Sequence, residues 1–165
     1  MPKTKAAKII LGLDPGLADT GFGVIEQRGQ KLTLRAYGTI KTKAHQPMGE
    51  RLKIIRQDLQ TIIKKYRPEL AAVEQLFFAK NAKTAMVVGQ ARGVIILTLA
   101  ENQLDYREFT PLQVKMTLTN FGQAPKKQVQ QMVKVLLKLE SAPRPDDAAD
   151  ALAIAICASN SLKQN

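Results

Sequence analysis

LGLDPGLADTGFGVI, residues 11–25, is the stretch that decides the fold. An apolar run ends in one acid, Asp14. Pro15-Gly16 turn the chain, and a second apolar run begins at Thr20. A connection this short cannot hold a crossover, so the two runs predict antiparallel strands. They extend to KIILGLD (8–14) and TGFGVIEQ (20–27). Gln27-Arg28-Gly29-Gln30 is a second turn signal, and KLTLRAYGTIK (31–41) is a third strand with Leu32, Leu34 and Ala36 alternating. The chain therefore opens with a three-stranded antiparallel meander.

Downstream, the period changes. Met48, Leu52, Ile55, Leu59, Ile62 and Tyr66 step by four and three and predict a helix over 47–67, stopped by Pro68. ELAAVEQ (69–75) reads as a short strand buried on both faces. A long helix follows over about 81–102, then a fifth strand, LDYREFT (104–110). Pro111 opens a helix to about Asn120. Another helix spans 126–139, and SAPRP (141–145) leads to a last one whose expected N-cap is Asp146. The order implies one α/β domain over 1–165: a mixed five-stranded sheet with helices on both faces. Residues 1–7 are expected to form a flexible basic tail and 159–165 a frayed end.

With 165 residues and 45% hydrophobic content, the chain can bury a core unaided. One cysteine, Cys157, excludes an internal disulfide framework and reads as a small buried hydrophobe. IILGL is too short for a signal-peptide core, and VIILTLA (94–100) is far short of a membrane span. The expectation is a cytosolic protein without a membrane partner. Lys and Arg outnumber Asp and Glu by 25 to 14, a net charge of +11, which points to a polyanion, nucleic acid first.

Against that basic background the acids stand out. Asp14 and Glu74 both lie at the C-terminal ends of apolar strands. If those strands are neighbours, their carboxylates sit side by side, which requires a shared proton or a cation. Asp147 and Asp150, in RPDDAADALAIAI (144–156), share one face at the start of a helix. Oxygen-only donors favour Mg²⁺ or Mn²⁺ over zinc. Singly, each acid has a plainer explanation: a turn starter, an ion-pair partner, a helix cap or a macrodipole partner. The single histidine, His45, lies in a polar loop away from every motif. The long helix carries Ala85, Gly89 and Gly93 at spacing four, which suggests close approach of the sheet or of a second subunit.

LGLDPGLADTGFGVI, AAVEQLFFAKNA, GQARGV and DAADALAIAI stand in the order and spacing of the RuvC Holliday junction resolvases, and the sequence resembles that family from about Lys8 to Ala158. The resemblance implies an RNase H-like fold and a dimeric bacterial endonuclease in the cytoplasm. It implies that Asp14, Glu74, Asp147 and Asp150 are catalytic and bind two Mg²⁺ ions, with Mn²⁺ as a substitute. The first acid of DAAD, Asp147 here, is His in some members. Two ions about 4 Å apart can activate water and stabilise the leaving 3′ oxygen. Products would then carry 5′-phosphate and 3′-hydroxyl ends. The implied partners are a four-way DNA junction, a second copy of the chain, and the RuvA–RuvB branch-migration complex. Phe77 would contact bases, Lys115 and Lys126 phosphate, and Arg92 either phosphate or structure. Two rivals remain at this level. One is an RNase H-like nuclease acting on RNA. The other is an actin-like ATPase or kinase fragment, suggested by Asp14, Gly16, Thr20 and Gly21 but lacking a second such phosphate loop.

Overall fold

A computed structural model of the chain describes residues 6–75 and 81–162. The opening meander forms as expected: β1 (Lys8–Asp14), β2 (Asp19–Arg28) and β3 (Lys31–Lys41). α1 (Met48–Tyr66) leads to β4 (Leu70–Glu74), which lies parallel to β1, and α2 (Ala82–Glu101) leads to β5 (Tyr106–Phe109), parallel to β4. α3 (Pro111–Thr119), α4 (Lys126–Leu136) and α5 (Asp146–Ser161) follow. The strand order is β3-β2-β1-β4-β5, the mixed five-stranded sheet expected from the order of elements.

Alternation along the strands divides the core into two layers. Ile10, Ile25, Leu70 and Ala72 face α3, α4 and α5. Leu11, Leu13, Val24, Ala71 and Val73 face α1 and α2. β1 and β4, at the centre, thus bury both faces, which explains their unbroken apolar runs. On α1 the innermost positions are Ile55, Leu59 and Ile63; Ile62 lies beside that line, half-buried. The alternation in β3 is interrupted. Ile25 pairs with Leu34 but Val24 pairs with Ala36, so Arg35 is an extra residue in a bulge. Leu32 and Leu34 consequently join one layer and Ala36 the other. Arg35 and Arg28 both bind Glu26, whose carboxyl the hydrogen bond to Arg35 holds below its ordinary range.

α5 is the helix against which the sheet is built. Residues 151–159 are buried without a break. Burial of each large side chain, such as Leu152, Ile154 and Ile156, contributes about 1.5–3 kcal/mol. Three glycines bring it close. Gly12 pairs with Gly23 across β1 and β2, and Gly21 pairs with Asp14. A Cβ on Gly12 would lie 2.0 Å from the Ala151 carbonyl oxygen, and one on Gly21 2.0 Å from that of Asp147. One on Gly23 would strike Leu152 at 2.7 Å. Glycine in a strand commonly marks such an approach.

Three boundaries differ from expectation. α4 closes at Leu136, because Leu137 caps it and Lys138 takes a left-handed conformation with φ 55°. α5 continues to Ser161 rather than fraying from 159: Ser159 is buried, and Arg107 donates to the Ser161 hydroxyl at 2.7 Å. The N-cap of α5 is Pro145, not Asp146, and no side chain caps that end. α2 has the length and mean hydropathy (1.3) of a membrane-crossing helix, but Ala91, Ile95 and Leu99 pack it onto the sheet.

Candidate active site

The turn after Asp14 is closed locally. Thr20 donates to the Gly16 carbonyl at 2.6 Å, and a Cβ on Gly16 would meet the Asp19 carbonyl oxygen at 2.3 Å. Residues 10, 12 and 14 point to the α5 face, as do 70, 72 and 74. Since Leu13 pairs with Val73, Asp14 and Glu74 follow side by side at the strand ends. The glycine floor lets the first turns of α5 arrive above them with Asp147 and Asp150. Carboxylate oxygens of Asp14, Asp147 and Asp150 lie within 4.8 Å of one another.

The electrostatics follow from that crowding. Burial, then Glu74, push the Asp14 carboxyl up to about 9, and the hydrogen bond between the two acids uses a shared proton. Glu74 is also raised, chiefly by burial. Burial raises Asp150 against the opposing pull of Lys126, and burial and Asp19 raise Asp147. A cluster that must hold protons to coexist is one that a divalent cation would discharge. The donor set fits such an ion. Oxygens sharing one ion with bonds of about 2.1 Å stand at most ~4.2 Å apart. Adjacent ligands of one ion stand about 3 Å apart, a separation that side-chain rotation can reach from here.

Lys126, at the start of α4, reaches Asp150 at 3.0 Å and Asp146 at 3.6 Å. Burial opposes its charge, but the Asp150 hydrogen bond and the surrounding acids raise its pKa overall. Lys115 lies across a cavity of about 220 Å³ that it lines with Glu74, Lys126 and Asp150, over apolar walls that include Val129 and Ile154. The structure thus brings together six expected residues: Asp14, Glu74, Asp147, Asp150, Lys115 and Lys126. It does not bring Arg92 to them. Arg92 binds Glu108, whose strand neighbour Val73 faces the opposite layer, so Arg92 sits on the α2 side of the sheet. Phe77 lies outside the described residues. Lys127 and His45 are exposed.

Gln130, which no motif marks, also reaches this group. It is 8% exposed and donates to Asp146 Oδ1 at 3.0 Å. Its signal was a polar residue on the apolar stripe of α4, between Val129 and Val133. Asp146, expected as a cap, instead binds Gln130, Arg144 and Lys126.

Comparison with known proteins gives a consistent result. The family profile described as crossover junction endodeoxyribonuclease RuvC matches residues 10–158. The crossover junction endodeoxyribonuclease RuvC of Heliobacterium modesticaldum is 53% identical over 154 residues, 93% of this chain and 95% of that one. Its counterpart in Halothermothrix orenii is 53% identical over 157 residues, 95% of each chain. Among solved structures, T. thermophilus RuvC in complex with a Holliday junction substrate superposes with a TM-score of 0.91. It shares 34% identity over 95% of this chain and 96% of that one. With its carboxylates gathered at one end of a sheet of this topology and relatives matched over nearly their full length, the chain belongs to the RuvC family of crossover junction endodeoxyribonucleases.

Proposed function

We propose that the protein resolves four-way DNA junctions by metal-dependent hydrolysis of opposed strands. The observation that carries this reading is the convergence of Asp14, Glu74, Asp147 and Asp150, with Lys115 and Lys126 beside them. A relative of 34% identity superposes on the chain while bound to a Holliday junction.

Asp14, Glu74, Asp147 and Asp150 would hold two Mg²⁺ ions, or Mn²⁺ in their place. Bound there, the ions supply activation of an attacking water and neutralisation of the leaving 3′ oxygen. The chain does the rest. Asp14 and Glu74, fixed at adjacent strand ends, set where the cleft accepts a phosphate. Lys126 and Lys115 offset phosphate charge from the α3–α4 side. The net charge of +11 attracts the duplex arms, and its pull weakens with salt. Cleavage leaves 5′-phosphate and 3′-hydroxyl ends.

Paired nicking needs two sites. α2 offers an interface for a second copy: Met86, Gly93 and Leu97 form an exposed stripe, with Met86 70% and Leu97 54% exposed. Among the described residues a Cβ on Gly89 or Gly93 would meet nothing within 4 Å, so their approach surface is not the sheet of the same chain. A two-fold dimer through this face would match the approximate two-fold symmetry of the junction. The setting is the bacterial cytoplasm, with RuvA–RuvB as the partner machine.

The test is cleavage of a mobile four-way junction and of a matched linear duplex, with and without Mg²⁺, by the parent protein and Asp14→Asn. Symmetric nicks confined to the junction, dependent on metal and lost in the variant, are expected. Binding without nicks under any metal, or cleavage of RNA in preference, would overturn the reading.

A further inference from the structure

Asp146 makes no capping hydrogen bond, yet all three of its side-chain partners lie outside its own helix. Its two oxygens are used differently. Oδ1 is fixed by Gln130 at 3.0 Å and by Arg144 at 2.8 Å. Oδ2 is left to Lys126 at 3.6 Å. Lys126 and Gln130 are i and i+4 on α4, so one helix face brackets the carboxylate. The start of α4 has no side-chain cap of its own, and Gln130 is the buried anchor that ties this end to α5.

Lys126 therefore has two carboxylates within reach, Asp150 at 3.0 Å and Asp146 at 3.6 Å. Asp150 belongs to the cluster that fits a cation; Asp146 does not. An ammonium on Asp150 competes with a cation there. We infer that Asp146 is a positioning residue that receives Lys126 when Asp150 turns to a cation, keeping the ammonium at the mouth of the site. Without Asp146 the amine has two choices, both worse: it stays on Asp150 and opposes the cation, or it swings into solvent. Even a weak, half-exposed pair with Asp146 is enough to bias that choice. The inference rests on the metal-dependent nuclease reading above.

The test is Mn²⁺ titration without DNA, by calorimetry, of the parent, Asp146→Asn, Lys126→Gln and the double variant. Lys126→Gln removes the competitor and should tighten Mn²⁺ binding. Asp146→Asn should weaken it about threefold in the parent, as expected for a partly exposed ion pair, and leave it unchanged in the Lys126→Gln background. An equal loss in both backgrounds would mean that Asp146 acts on the cation by charge alone, and would overturn the inference. So would no loss in either. Should Asp146→Asn fold poorly, Lys126→Gln still decides: unchanged or weaker Mn²⁺ binding overturns the inference. A parent protein that binds no Mn²⁺ removes the nuclease reading as well, whereas a parent that binds with no coupling removes only the inference.

Discussion

Gly12 and Ala151 stand so close that a Cβ on the glycine would lie 2.0 Å from the alanine's carbonyl oxygen. The acceptor is backbone in the middle of a buried helix, and Ala155 closes the other side at 2.8 Å. Nothing there can rotate away. Gly12→Ala must lift α5 from the sheet, and with it Asp147 and Asp150 from Asp14. Overpacking of this kind costs about 1–3 kcal/mol or more. The expected result is a lower unfolding midpoint in urea and a loss of junction cleavage greater than the loss of junction binding. A variant with parental stability and activity would show that close approach of α5 to β1 does not position the acids.

The proton held by the acid pair makes stability depend on pH. Asp14 has its folded pKa raised to about 9 from an ordinary 3.8. A raised folded pKa means that the folded state binds more protons between those values. The stabilisation is full below about pH 4 and is lost as pH rises through 9. The slope approaches about 1.4 kcal/mol per pH unit for one proton. Melting of metal-free protein should show Tm falling over this window. Asp14→Asn, which needs no proton, should flatten the fall and melt higher than the parent at pH 8. A parallel fall in both proteins would place the proton elsewhere.

Cation binding must displace that proton. Titrating metal-free protein with Mg²⁺ at pH 7.5 in weak buffer should release about one proton per site, read with an indicator dye. Asp14→Asn should release much less. Apparent metal affinity should rise with pH through neutrality, since fewer protons then compete.

Lys115 faces the cavity beside Glu74 and Asp150 without an ion pair among the described residues. Lys115→Met keeps the stem and removes the charge. Cleavage rate should fall on the order of 10²-fold, with junction affinity changed only severalfold. Equal losses in rate and affinity would assign the lysine to binding alone.

For the α2 face, Leu97→Glu places a charge on the exposed stripe, at a side chain that is 54% exposed. Sedimentation should show the parent as a dimer and the variant shifted to monomer with an unchanged far-ultraviolet spectrum. Paired nicking should give way to single nicks. A parent that sediments as a monomer at micromolar concentration would remove this interface.

The amino-acid sequence by itself determined the elements and their order. The short connections at Pro15-Gly16 and Gly29 forced a meander, and the helical stripe of α1 and Pro111 at the head of α3 made those helices legible. It also singled out Asp14 and Glu74, because a carboxylate ending an apolar strand is conspicuous whatever its neighbours, and the spacing of Asp147 and Asp150 put those two on one helix face. Local chemistry carries all of these, since turns, caps and periodicity act over a few residues.

Tertiary structure decided what depends on distant chain meeting distant chain. That Asp14 and Glu74 are abreast required β1 and β4 to be neighbours. That Asp147 and Asp150 reach them required Gly12, Gly21 and Gly23 to clear the way for α5, a role that no spacing in one segment reveals. Arg92 belongs to Glu108 because of which way β5 faces, and Asp146 belongs to Gln130 and Lys126 because α4 lies beside α5. In each case a partner that defines the side chain's role is remote in sequence and is fixed only when the two core layers close.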